Sequence, residues 1–199
     1  LTLFALRASK VRSSGAFALV SRESFLLANN VLLATAAATV LLGTVYPLLI
    51  DALNLGKLSV GPPYFNAVFV PIMVPVLVFM VVGSFARWKN DSVPVLLKKL
   101  RLVAALSVLL GCSLPPLAGP WAAPTALGPG LALWVVLSAP VQMSQQMRDT
   151  VRWQSTPVSF WGMHLAHIGI AVTAVGITMV TGYETEKDVR MVLGDTVEV

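Results

Sequence analysis

Long apolar runs alternate along the chain with short clusters of charged and polar residues. Five runs stand out, over residues 28–50, 65–86, 102–118, 128–141 and 162–181. The first is interrupted only by Asn29, Asn30 and Pro47, and the second carries Pro71 and Pro75, placed to kink its first half. The third ends on Pro115-Pro116, and the fourth is short but extends back toward Trp121. A bilayer core of about 30 Å needs roughly 20 apolar residues per helix. The pattern therefore predicts an all-α polytopic membrane protein with about five transmembrane helices. A re-entrant hairpin over 102–141 is the alternative, and its two ends would still lie on one side. After residue 181 the pattern changes, and Gly-Asp-Thr-Val-Glu-Val (194–199) alternates like the start of a strand. Residues 182–199 thus read as the beginning of a β-rich outer domain.

The charges orient these spans. Arg7, Lys10, Arg12 and Arg22 fall in 1–27, and Arg87, Lys89, Lys98, Lys99 and Arg101 in 87–101. Arg148 and Arg152 fall in 142–161. The opposite segments, 51–64, 119–127 and 182–199, hold only Lys57, Lys187 and Arg190 of the 14 basic residues, with six of the nine acidic ones. Because basic loops stay in the cytoplasm, the expected topology is N-terminus in the cytoplasm and C-terminal tail on the outer face. Trp88, Trp153 and Trp161 fall beside the cytoplasmic ends, where interfacial aromatics belong.

Composition agrees: 56% of the 199 residues are apolar and 12% charged, against about 25% charged in soluble domains. A net charge of +5 needs no nucleic-acid partner once its placement is explained by topology. Cys112 has no partner for a disulfide and reads as a small buried residue. Residue 1 is Leu, and both ends read as cuts within a longer protein.

No Asp, Glu, Lys or Arg lies inside the five runs, which argues against an ion-coupled transport path here. The ionisable side chains at membrane depth are His164 and His167, in Trp-Gly-Met-His-Leu-Ala-His-Ile-Gly (161–169). At about 100° per residue, Gly162, Ala166, Gly169, Thr173 and Gly176 share one stripe. His164, His167, Ala171, Ala174 and Thr178 share a second, roughly opposite. The glycine stripe suits close approach of a neighbouring helix. The histidine stripe leaves room for a flat group such as a porphyrin edge, and His is a common axial ligand to haem iron. On the residues alone, an interhelical hydrogen bond and a haem ligand both remain open. One helix cannot supply both axial ligands of one haem, since they approach from opposite faces of the ring.

The segment Ser-Arg-Glu-Ser-Phe-Leu-Leu-Ala-Asn-Asn-Val-Leu-Leu (21–33) and Leu-Gly-Thr-Val-Tyr-Pro (42–47) resemble the CcmF/NrfE haem lyase family of cytochrome c biogenesis. So do Ser-Val-Gly-Pro-Pro-Tyr-Phe-Asn (59–66), the 161–172 block around the histidines, and Lys-Asp-Val-Arg-Met-Val-Leu-Gly-Asp (187–195). These blocks run in family order over essentially the whole chain. The resemblance implies a haem lyase subunit that receives haem from the chaperone CcmE. With CcmH and CcmI it attaches that haem to apocytochrome c. It also implies a membrane-embedded haem b, quinol as a possible electron source, and His167 as one axial ligand to the haem iron. His164 falls on a variable position of the motif. The family's Trp-rich outer segment, its flanking histidines and the second haem b ligand are not in this chain. No catalytic residue is therefore expected here, and the 199 residues alone should not act as a lyase. A haem transporter would need a polar path through the spans, and a quinol-linked cytochrome subunit a paired His on a second helix. The NrfE-type branch remains open beside CcmF.

Overall fold

The computed structural model describes residues 18–119, 121–149 and 156–184, and every regular element among them is helical. The order is α1 (Arg22–Ala52), α2 (Pro62–Phe85), α3 (Val93–Ser113), the single turn α4 (Pro115–Ala118), α5 (Ala123–Asp149) and α6 (Val158–Tyr183). The expected β-rich start and most of the basic N-terminal segment lie outside the described residues.

Helices extend beyond their apolar runs because backbone hydrogen bonding does not stop where hydrophobicity does. The α1 helix starts at Arg22, where Ser21 Oγ accepts the N–H of Ser24 at 3.2 Å, an N-cap that satisfies one of the helix's unpaired donors. Pro62 opens α2 directly after Gly61, a position at which the missing N–H costs nothing. Downstream, α5 runs on to Asp149 and α6 begins at Val158, so the expected 142–161 connection is largely helical.

Four helices, α1, α2, α5 and α6, are long and apolar enough to cross a membrane. The expected third span departs from the pattern. The α3 helix begins at Val93 and carries Lys98, Lys99 and Arg101 in its first half, leaving too short an apolar stretch to qualify by itself. It then breaks at Leu114, and the Pro115-Pro116 pair restarts the chain as α4. Cys112 is exposed rather than buried. The packed face of α3 is the stripe Leu96, Leu100, Val103, Ser107 and Gly111, and position 112 lies about 100° away from Gly111.

The α5 helix is central, packing against α3 and α6 and meeting α2, while α1 packs chiefly against α2. One core unites α2, α3, α5 and α6 through Leu77, Val81 and Phe85, Leu96 and Leu100, Ala132 and Val135, and Ala171. Crossing of α3 and α5 is intimate: a Cβ on Gly111 would lie 2.6 Å from the Cα of Gly130. Such backbone approach is the usual device of membrane helices, where dispersion between close surfaces replaces the hydrophobic effect. Outward faces remain strongly apolar, with Leu41, Leu42 and Leu48 of α1 each more than 60% exposed. Such a surface suits lipid or further polypeptide rather than water.

Two sets of contacts align the helix ends. At one end, residues 18–23 clasp the connection after α2. The N–H groups of Ala18 and Arg22 donate to the carbonyls of Lys89 and Arg87, and Asp91 N–H donates to Val20. Glu23 accepts from Lys89 N–H at 2.8 Å, and the Arg22 guanidinium lies 5.0 Å from the Trp88 ring. Gln142 of α5 donates to Ser84 Oγ at 2.7 Å toward the same end. At the other end, Tyr183 Oη donates to the carbonyl of Pro115, and Tyr64 Oη donates to Thr39, its ring lying on Gly43. The α3–α4 unit packs along α5 and touches α2, with Lys99 near the Phe85 carbonyl at one end and Pro115 tied to the end of α6 at the other.

The clasp also sets a charge. Partial burial pushes the Asp91 carboxyl up, but the N–H groups of Arg87 and Ser92 outweigh it. With Lys99 and Arg87 close by, they hold Asp91 below the ordinary carboxylate range.

Candidate functional site

The α6 helix meets α5 along His164, Ala171, Thr178 and Gly182. His164 and Ala171 are 6% and 2% exposed. A Cβ on Gly128 of α5 would run into the Thr178 side chain, and one on Gly182 would meet Thr125. Thr178 spends its hydroxyl on the carbonyl of Ala174, so that hydroxyl is satisfied within its own helix. The two stripes read from the sequence therefore exchange roles within this chain. The stripe through His164 packs helix on helix, whereas Gly162, Gly169 and Gly176 have no neighbour within 4 Å of an added Cβ. Both stripes are built of small residues, and either admits close approach. Periodicity cannot choose between them.

The histidines separate accordingly. His164 points into the α5 seam, its ring edge-on to Phe160 with centroids 4.5 Å apart. Its Nε2 is buried and has no hydrogen-bond partner among the described residues. Asn29 Oδ1 and Trp134 Nε1 are buried in the same condition. His167 is half-buried on the flank of α6 shared with Met163, Ile170 and Ala174. It lies nine residues into the helix, about 14 Å at 1.5 Å per residue. Counted from the start of the apolar run, the depth would be only about 8 Å; the difference is the extra turn from Val158.

His167 Nδ1 lies 2.6 Å from the backbone carbonyl of Met163. A carbonyl only accepts, so Nδ1 carries the proton and donates. In the neutral ring Nε2 is then the nitrogen that carries a lone pair, on the side away from the Met163 carbonyl. Metal-ligating histidines commonly have this arrangement, with the second nitrogen tied to a carbonyl that fixes both tautomer and ring orientation. An imidazole held in this way would suit a ligand to haem iron. His164, sealed against α5, is not held in this way. These are the two histidines of the chain, so a second nitrogen ligand is not supplied from within it.

A cavity of about 540 Å³ opens on the other flank of α6. Its walls include Leu117, Leu133, Val172, Val175 and Met179. On the helical wheel these α6 positions and His167 lie on opposite sides of the contact line with α5. A group bound at His167 would therefore not occupy this cavity.

No protein-family model matches the chain. Curated relatives match it along its whole length. It is 46% identical over 203 residues to the cytochrome c-type biogenesis protein CcmF of Pseudomonas aeruginosa, covering 100% of the chain and 31% of that protein. It is 43% identical to CcmF of Escherichia coli, again over 100% of the chain and 30% of the relative. The chain belongs to the CcmF family. The resemblance read from the motifs around Pro47, Tyr64 and His167 agrees with these matches. The NrfE protein of Haemophilus influenzae is 32% identical over 95% of the chain and 29% of its own length. A solved structure of the cytochrome c haem lyase CcmF superposes with a TM-score of 0.63 at 26% identity, covering 83% of this chain and 26% of that one. The chain thus spans about a third or less of the length of these relatives.

Hydropathy does not register the clasp of residues 18–23 on 87–91. Its signal in the sequence was the Ser-Arg-Glu-Ser string followed, after one helical hairpin, by a charged connection with an acidic residue.

Proposed function

We propose that this chain is the part of a haem lyase of cytochrome c maturation in which α6 presents His167 as one axial ligand to a membrane-embedded haem b. The observation that carries this reading is the 2.6 Å contact from His167 Nδ1 to the Met163 carbonyl, which leaves Nε2 as a fixed donor atom. When bound, haem b supplies one-electron redox chemistry at the iron. The residues of this chain do the holding. His167 would bind, the Met163 carbonyl orients the ring, and the α5–α6 seam through Ala171, Thr178 and Gly128 fixes the helix that carries both. Catalytic residues, the second ligand, and the surfaces for CcmE, CcmH, CcmI, apocytochrome c and quinol belong to the whole protein in this proposal. The 199 residues alone are inactive.

The proposal includes five crossings, with α3–α4 as the third, N-terminus in the cytoplasm and the tail in the periplasm. It is supported by the ties of the α3–α4 unit to Phe85 at one end and to Tyr183 at the other, and by the basic residues gathered at the clasp end. Lys98, Lys99 and Arg101 would then sit at the cytoplasmic interface, where long cationic side chains reach the headgroups.

In the full-length protein, His167→Ala should lower haem b per polypeptide and lower cytochrome c yield with it. His167→Gly supplied with imidazole should recover part of both, because the small ligand can occupy the vacated position. The readout is the absorption spectrum of the purified protein with haem counted per polypeptide. An unchanged bis-nitrogen spectrum in His167→Ala would sink the assignment.

A further inference from the structure

The exposed side of α3 carries a charge pattern that the haem reading does not use. The packed stripe of this helix is Leu96, Leu100, Val103, Ser107 and Gly111. At about 100° per residue, Lys98, Arg101, Leu102, Ala105 and Leu109 lie on the opposite face. All five are exposed, Leu102 and Leu109 by 65% and 66%. The α3 helix contains no Asp or Glu, so no residue three or four positions away can neutralise either cation. The clasp nearby does not supply the missing charge. Asp91 accepts the N–H groups of Arg87 and Ser92, and Glu23 accepts that of Lys89. Both carboxylates are thus turned to backbone, and the residual field of Asp91 falls on Lys99 and Arg87. Lys98 and Arg101 are like charges one turn apart, which repel, on an open face with no acid beside them.

We propose that this face binds one anionic phospholipid, with the headgroup phosphate between Lys98 and Arg101 and an acyl chain along Leu102, Ala105 and Leu109. The inference rests on the reading of α3–α4 as the third crossing. The order of chemistry along the face identifies the occupant: two cations at the clasp end, then two turns of exposed apolar side chains. A soluble anion or an acidic protein segment matches only the cations. A phospholipid matches both parts, in that order. The length agrees as well. From Lys98 to Leu109 is eleven residues, about 16 Å, and one leaflet of a hydrocarbon core of about 30 Å is about 15 Å deep. The charge selects a net-negative headgroup, because a zwitterionic one brings its own ammonium group beside the phosphate and toward the same two cations. A lipid held here offsets the charge that keeps α3 from being apolar enough to cross by itself.

The test uses the full-length protein in neutral detergent, titrated with phosphatidylglycerol or with phosphatidylcholine and weighed intact by native mass spectrometry. With two cations contributing, the wild type should bind the first phosphatidylglycerol about tenfold more tightly than phosphatidylcholine, or better. Lys98→Gln combined with Arg101→Gln should remove that preference with haem per polypeptide unchanged. Lys98→Arg combined with Arg101→Lys should keep it. Phosphatidylglycerol carrying a diazirine on one acyl chain should, on irradiation, label α3 between residues 102 and 109. Equal binding of the two lipids by the wild type would overturn the proposal, as would an undiminished preference in the double glutamine variant. Labelling confined to other helices would also overturn it. So would a cross-link from a photoreactive residue at Leu109 to another segment of the same polypeptide, because protein would then cover the face. Detergent exposes both ends of α3, so an error in the proposed topology would appear in cysteine labelling at position 98 and not in these measurements.

Discussion

Replacing His164 by Leu tests the division of labour between the two histidines, and the structure sets its magnitude. Nε2 of His164 is buried without a partner among the described residues, and such a group costs about 1–3 kcal/mol of desolvation. Leu has a similar volume and no polar atom, so His164→Leu removes that cost. It also removes the edge-on contact with Phe160, whose centroids are 4.5 Å apart at 79°, worth about 0.5–1.5 kcal/mol. The difference leaves His164→Leu more stable by about 1 kcal/mol, a factor of about five in the folded-to-unfolded ratio. The assay is SDS titration of the full-length protein in mixed micelles, with haem per polypeptide measured on the same samples. Phe160→Leu, alone and combined with His164→Leu, isolates the ring contact as a coupling energy. Haem content should be unchanged in all three variants. Destabilisation by more than about 1 kcal/mol, or loss of haem, would refute the reasoning. Either result would mean that Nε2 has a partner in the whole protein.

Three further outcomes follow from the packing and the clasp. Gly111→Leu forces a side chain onto the backbone of Gly130 and should separate α3 from α5, costing about 1–3 kcal/mol as overpacking does; SDS titration of the variant measures it. Lys98→Cys should react with an impermeant maleimide only after the inner membrane is opened, and Glu184→Cys in intact cells; the converse labelling would invert the proposed topology. Asp91, with its carboxyl held below the ordinary range, contributes to the clasp above the unfolded carboxylate pKa of about 3.9. That contribution is lost as pH falls through the lower folded value. Hydrogen exchange at the Arg87 and Ser92 amides should therefore be constant from about pH 5 to 8, once corrected for intrinsic rates. It should accelerate only in acid, and Asp91→Asn should show the fast exchange at neutral pH.

Much of this protein was legible in the chain because a membrane imposes a simple rule: apolar runs of sufficient length become helices, since no other local structure satisfies the backbone in hydrocarbon. Hence α1, α2, α5 and α6 could be placed from the runs around Val45, Val76, Trp134 and Ala171. The motif around His167 carried the family. Helix ends were less legible, because Ser21, Pro62 and Val158 start helices through caps and backbone geometry that hydropathy does not register. The third run is not among the four helices long and apolar enough to cross by themselves, because Lys98, Lys99 and Arg101 are helical residues of α3 rather than loop residues.

Periodicity determined that α6 has two small-residue stripes and that His164 and His167 lie on one side of it. Only the tertiary structure decided which stripe is spent on α5. That choice depends on complementary partners far away in sequence, Gly128 for Thr178 and Thr125 for Gly182, which no local pattern encodes. A difference of about 60° around the helix then sends His164 into the seam and leaves His167 at its edge. The Met163 carbonyl, one turn back in the same helix, fixes the outer nitrogen of His167 as the one free to bind.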